Sequence, residues 1–449
     1  MNLHISIGME KKISLLCLIV VVCGIAICFP IGTAAEESPE RFTLQSAIET
    51  ALEANLDLKI SEEEIQAAQS LEKAQRTTFY PKFSASYSYR RNDSEERSLF
   101  LGVTQPLNLF ALSAQVTQPI FTGFALLNQY KIASLGLDIA KIRETIIRRE
   151  IIFGAKRYYF LLLKAEKLLN VSEDAVKQLE AHRSVAENFY QVGMTPLNDL
   201  LKAEVELANA HQDLVVAQNN LEIAKAKFNT LLRRPINGIV ELEDILDFAS
   251  FEYDIDYCLD MAEENRFEIQ VVDLEVEVAE KEIEIQKKDF YPSVNLEGNW
   301  YQFGTEWDVD GGEGISNPHT WNVTAVASWN IWEWGRKKYG VKEKLSRLSQ
   351  AKYQSEKIRE DIQLEIKQAF LKTKESETNI STVKKAIEQA KENFRISEER
   401  YKEQMATSTD VLDGRTLLSK TMTNYYNALY DFKISKAALY RAMGREVME

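Results

Sequence analysis

The sequence repeats itself at a fixed distance. Phe79-Tyr80-Pro81 returns as Phe290-Tyr291-Pro292, Gln118-Pro119-Ile120-Phe121 aligns with Trp329-Asn330-Ile331-Trp332, and Tyr190 and Asp199 align with Tyr401 and Asp410. Each pair is 211 residues apart (290 less 79, 329 less 118, 401 less 190). Three anchors without drift denote an internal duplication. The unit is too long for a solenoid repeat. One architecture with twofold pseudo-symmetry is therefore expected, and what it does must be read from the contents of one unit.

The N-terminus reads as an export leader. Lys11 and Lys12 precede an apolar run from Ile13 to Phe29, followed by Pro30 and small residues to Ala34-Ala35. This is the layout of a signal peptide over residues 1–35. An uncleaved anchor or a lipid-modified Cys28 are the competing readings; the bulky Ile27 before Cys28 argues against the lipid. Cys258 is then the one cysteine of the mature chain, so no intramolecular disulfide is expected. The net charge of −14 argues against nucleic acid as a partner. No stretch after residue 35 has the run of apolar residues that a spanning helix requires, which leaves a β-barrel open, because its signal per strand is weak.

Each half reads helix, strand, strand, very long helix, long helix. With Thr43 as cap, a helix is predicted over Leu44–Arg76, with its second copy over Asp256–Lys288; both end at the Phe-Tyr-Pro triplet, where proline stops a helix. Four period-two stretches follow, at about 82–91, 113–122, 293–303 and 319–330. In the first, Phe83, Ala85, Tyr87 and Tyr89 alternate with serines; in the last, Trp321, Val323, Ala325, Ala327 and Trp329 alternate with mostly polar residues. Each has the length of a tilted strand crossing a bilayer, with one apolar face for lipid and one polar, mostly uncharged face for a wet lumen. An ordinary sheet with one solvated face is the bland alternative. The residues between paired strands, 92–110 and 308–318, read as loops.

The helices beyond are unusually long. From about Leu126 to Gln191 there is no proline, nor from Arg336 to Gln404. Each would reach roughly 100 Å, which implies coiled-coil packing. In the helix that follows, Leu200, Leu207, Leu214, Leu221 and Phe228 fall seven apart, with Ala203, Ala210, Ala217, Ala224 and Leu231 between them. The second copy gives Val411, Leu418, Tyr425, Phe432 and Leu439, with Gly414, Thr421, Ala428, Ser435 and Ala442 between. Large residues facing small ones let antiparallel helices approach closely. Each helix pair turns back around 190–199 and 401–410; Ser408 or Thr409 is the expected cap of the second turn. Residues 36–235 form the first repeat, 236–255 a linker and 256–449 the second repeat.

Four strands cannot close a barrel, since the smallest membrane barrels need about eight, and open edges are not tolerated in lipid. Several chains must share one barrel if these strands span a membrane. At this point the residues carry a family likeness. The chain resembles the TolC family of outer-membrane channels through Leu44-x-x-Ala47-Ile48-x-x-Ala51-Leu52-x-x-Asn55, the Phe-Tyr-Pro helix ends, Gln118-Pro119-Ile120-Phe121, Tyr190-Gln191-Val192-Gly193 with Asp199, and Asp410-Val411-Leu412-Asp413. The resemblance implies a mainly α fold with a membrane β-barrel. Four strands per chain would contribute to a trimeric twelve-stranded barrel, and antiparallel coiled-coil helices to a periplasmic α-barrel. It implies a passive exit duct for a tripartite efflux pump or a type I secretion system. A periplasmic adaptor, an inner-membrane pump and outer-membrane lipid would be its partners.

The resemblance also places candidate residues. Asp410 and Asp413, three apart on one helix face, would form stacked carboxylate rings that constrict the periplasmic entrance, attract cations and raise one another's pKa. A helix-start acid favoured by the dipole is the plainer reading of Asp410, and a solvated face that of Asp413. Tyr401 and Asp199 would help hold the entrance shut through polar contacts between helices. The turns Val192, Gly193, Met194 and Gln404, Met405, Ala406 would dock the adaptor. The sequence departs from the family pattern at Arg233, where many members have glycine, and at Ala406, where an arginine is often found. Gln404 replaces the Gly193 of the first copy, so the two turns are expected to be inequivalent. No enzyme, cofactor or metal is expected: the histidines are scattered, and Gly311-Gly312-x-Gly314 lies in an inter-strand loop rather than before a helix. A periplasmic coiled-coil adaptor without a pore is the competing function.

Overall fold

The computed structural model describes residues 41–100, 102–245 and 250–445. The expected leader, 1–35, lies outside the described residues. The duplication holds to the residue. Helix α1 (Leu44–Ala54) corresponds to α5 (Ile255–Asn265), α3 (Ala125–Gln191) to α7 (Arg336–Lys402), and α4 (Leu197–Leu231) to α8 (Ser408–Ala442). Every boundary in these pairs differs by the same 211.

The first helix of each repeat is broken rather than continuous. Asn55, in extended backbone, ends α1 and caps α2 (Leu56–Thr77), accepting from the Asp57 N–H at 2.7 Å. Side-chain capping of a new N-terminus offsets the lost helical bonds. In the second repeat the break falls at Arg266, before α6 (Phe267–Gln286), which ends in a 3₁₀ turn over Lys287–Phe290. Arg266 is buried and donates from Nη1 to the Arg441 and Ala442 carbonyls, at the C-terminal end of α8. A cation there satisfies orphan carbonyls and opposes the helix dipole. The predicted linker is partly structured: β6 (Glu241–Leu242) pairs in parallel with β1 (Arg41–Phe42).

Strands β2 (Lys82–Arg91), β5 (Asn108–Phe121), β7 (Ser293–Gly304) and β8 (His319–Ser328) form one antiparallel sheet in that order. The second strand starts earlier than expected, and the loop before it holds a hairpin of its own, β3 (Glu96–Ser98) with β4 (Gly102–Gln105). Register separates the two faces by row. Ser84, Gln115, Asn299 and Asn322 lie in one cross-strand row, and Ala85, Ala114, Trp300 and Trp321 in the next. The Ser86 and Ser113 hydroxyls meet at 2.8 Å across β2 and β5, and Asn299 donates to Asn322 at 3.1 Å. Polar stitching on one face and aromatics on the other are what a lumen and a lipid surface demand. Among the described residues β2 and β8 each keep one unpaired edge.

Below the sheet, α3 packs with α4 and α7 with α8. Most of the two interleaved seven-residue series is core: Leu200, Ala203, Ala210, Ala217, Leu221 and Phe228 are buried on α4, and Val411, Gly414, Leu418, Thr421, Ala428, Phe432, Ser435, Leu439 and Ala442 on α8, while Leu207, Leu214, Ala224, Leu231 and Tyr425 are half-buried. Burial of a Leu- or Phe-sized side chain stabilises by about 1.5–3 kcal/mol relative to exposure. Tyr159, fully buried on α3, donates to the Glu243 carbonyl at 2.6 Å and ties the β1–β6 pair to the helices.

Candidate gate at the helical tips

Both long hairpins end in a turn built the same way. The Gly193 N–H donates to Tyr190 O and the Met194 N–H to Phe189 O; the Gln404 N–H donates to Tyr401 O and the Met405 N–H to Arg400 O. Gly193 has φ +75° and Gln404 φ +56°. This is a helix C-terminus closed by one left-handed residue. The expected inequivalence of the turns is thus confined to side chains, because the hydrogen bonds of the turn hold Gln404 where glycine sits in the first copy. The Gln404 amide also donates to the Met194 sulfur at 3.0 Å, joining the turns. Val192, Met194 and Met405 project as apolar, exposed side chains, while Ala406 is half-buried.

The restart of the helices differs. Pro196 precedes α4 and offers no side-chain cap, whereas Thr407 caps α8. Thr407 Oγ1 accepts from the Asp410 N–H, and the Asp410 carboxylate accepts from both the Thr407 N–H and its hydroxyl at 2.8 Å. The cap is therefore Thr407, not Ser408 or Thr409. Ser408 faces inward and is fully buried; Thr409 accepts from Lys202 Nζ at 3.0 Å. The reciprocal box satisfies two orphan donors at once, which explains why the acid falls three residues after the threonine. The Thr407 N–H, followed by its hydroxyl, holds the Asp410 carboxyl below the usual carboxylate range. Within one chain this runs against the rise expected of clustered carboxylates. Asp413 lies one turn on, and both acids are exposed on the same face of α8.

Tyr401 and Asp199 are brought together, but no hydrogen bond joins their side chains. Tyr401 is buried against His182 (ring centroids 5.0 Å apart) and Phe189 (5.6 Å). Its hydroxyl lies beside Ser408 without a well-formed bond. Burial first, and the Asp199 charge second, push the phenol pKa up. The link between the hairpins runs instead through Ser408, whose hydroxyl lies 2.9 Å from His182 Nε2 and 3.5 Å from the Asp199 carbonyl. In place of the arginine absent at Ala406, Arg400 donates to the Met405 carbonyl at 3.2 Å.

Sequence reasoning missed two residues here. His182 looked like one scattered histidine, although it is buried on α3. Arg415 is 3% exposed, stacks over the Phe394 ring at 5.9 Å, and its Nε and Nη2 have no hydrogen-bond partner among the described residues. Its place between the core positions Gly414 and Leu418 was the available signal. Among the described residues no cluster of His, Cys, Asp or Glu could hold a metal.

The sequence model of the outer membrane efflux protein family matches residues 47–232 and again 258–445. No curated protein matches the chain by sequence. Solved structures do resemble its fold. The outer membrane channel CmeC of Campylobacter jejuni is 18% identical with a TM-score of 0.80, over 89% of this chain and 85% of its own. The outer membrane protein VceC of Vibrio cholerae is 17% identical with a TM-score of 0.78, over 90% and 96%. The open state of the MtrE outer membrane channel of Neisseria gonorrhoeae gives 19% and 0.75, over 90% and 89%.

Proposed function

The chain belongs to the outer membrane efflux protein family, and from that premise we propose that three copies form a passive exit duct whose periplasmic end is gated by Asp410 and Asp413. Its place is the outer membrane, with the helices in the periplasm. The observation that carries the duct is the sheet: polar and apolar rows on opposite faces, with both edges unpaired. Unpaired edges in a bilayer leave backbone groups unsatisfied at several kcal/mol each. Three sheets joined edge to edge would supply the twelve strands of a closed barrel. A periplasmic adaptor without a pore would have no use for such a sheet. Energy comes from an inner-membrane pump, reached through an adaptor that docks on the turns at Val192, Gly193 and Met194 and at Gln404, Met405 and Ala406.

In a trimer the exposed acids of α8 stack as two rings of three carboxylates. Such rings concentrate cations and repel anions at the constriction. The test is ion conductance of the purified protein in planar bilayers. Wild-type openings should prefer cations, and Asp410→Asn with Asp413→Asn should reduce that preference several-fold while leaving single-channel openings. Unchanged selectivity in the double variant removes the gate assignment; silence of both proteins after verified insertion removes the channel.

A further inference from the structure

His182 is a titratable side chain buried between the two hairpins at their tips, where it packs against the buried Tyr401 phenol. It sits on α3 and touches the second repeat on two sides, at Ser408 of α8 and Tyr401 of α7. Ser408 in turn reaches the Asp199 carbonyl of α4. One short polar chain therefore joins α3, α8 and α4, and ring packing on Tyr401 adds α7. Ser408 is the first residue of α8 and lies two before Asp410, so this chain fixes the acid-bearing end of α8 to the first repeat. The charged groups facing the ring are Glu398 on α7 and Asp199 on α4. On its own helix Arg183 is engaged with Glu187, and with Glu204 of α4. The pseudo-symmetric position, 211 residues on, is Asn393, and that of Ser408 is Leu197. The contact thus exists once per chain, between α3 and α8, and its counterpart seam has neither member.

We propose that His182 is a positioning residue of the gate, which latches the acid-bearing hairpin while its ring is neutral and releases it on protonation. The proposal rests on the gate reading of Asp410 and Asp413. A neutral imidazole suits a dry seam, sharing one proton with Ser408, whereas an imidazolium there lacks water. Burial lowers the His182 pKa, and the nearby Glu398 and Asp199 only partly oppose this. The sign follows from linkage. Above the ordinary imidazole value near 6.5 both packed and parted tips hold a neutral ring. As pH falls below it, the solvated ring of the parted state takes up its proton first, and the packed state loses stability relative to it. Each exchanging His182 can shift the balance by at most about tenfold per pH unit.

The experiment is open probability of the full-length channel in planar bilayers from pH 7.5 to 5.5. Wild type should open more often as pH falls, and His182→Gln, which keeps a hydrogen-bonding side chain without the titration, should be flat over the same range. The Asp410→Asn, Asp413→Asn protein should keep the pH response while losing selectivity, so the latch and the gate fail separately. A His182→Gln channel that responds as wild type does overturns the latch. Should that variant not assemble, hydrogen exchange of wild type decides. Protection over residues 401–412, corrected for the intrinsic pH dependence, should fall between pH 7.5 and 5.5, and constant protection overturns the proposal.

Discussion

Four left-handed positions show how strictly the duplication is kept at the level of single residues. Gly123 and Trp334, Phe124 and Gly335, Gly193 and Gln404, and Arg233 and Gly444 are each 211 apart, and all eight have positive φ. In every pair one copy has glycine and the other does not. The departure at Arg233 is therefore a side chain placed on a backbone that glycine would adopt freely. A non-glycine residue held there costs roughly 1–2 kcal/mol, while glycine costs roughly 0.5–1 kcal/mol in chain entropy. The strain is the larger effect. Gln404→Gly and Arg233→Gly should each raise the thermal unfolding temperature of the detergent-purified protein, by an amount corresponding to about 0.5–1 kcal/mol. Loss of stability at both sites would mean that their side chains hold the turns, as the Gln404 contact with Met194 does in part. The sequence showed where the turns at 190–199 and 401–410 fall but not their shared conformation, because glycine marks left-handed backbone in only one copy.

At the scale of helices, most of the architecture was legible because it repeats. The seven-residue series on α4 and α8 marked their buried faces, and the absence of proline marked α3 and α7. The breaks at Asn55 and Arg266 were not legible, since each is made by a different chemistry: a side-chain amide capping its own helix in one repeat, and a guanidinium capping a distant one in the other. The contact between α3 and α8 was also hidden, because it joins the repeats rather than recurring within them. Arg415 lies along the same hairpin. A buried guanidinium without full partners carries a desolvation cost that packing does not return. Arg415→Met keeps the aliphatic stem and its contact with Phe394 while removing the charge. The expected result is a protein as stable as wild type or more so, by up to roughly 3 kcal/mol, in thermal or denaturant unfolding. Destabilisation by more than about 1 kcal/mol would show that the guanidinium finds its partner in the assembled channel.

At the scale of the whole molecule, the decisive feature is what one chain leaves unfinished. The order β2-β5-β7-β8 sets β2 and β8 at opposite edges, three strand spacings or roughly 14 Å apart across the sheet. A disulfide needs Cα atoms within about 7 Å, so β2 and β8 cannot be bridged inside one flat sheet of this width. In a shared barrel β8 of one copy lies against β2 of the next, and the bridge becomes possible only between chains. Cysteines introduced in pairs, one among Ser84, Ser86 and Ser88 and one among Asn322, Thr324 and Val326, sample the neighbouring registers. The native Cys258 is buried and need not be removed. At least one pair should oxidise in the outer membrane to a covalent trimer that reduction dissolves, while each single cysteine gives none. A ladder of dimers without trimer would point to an open assembly, and bridging within single chains would mean that the sheet curls on itself. The same result bears on the gate, because the two carboxylates of α8 can form rings only if the copies close around an axis.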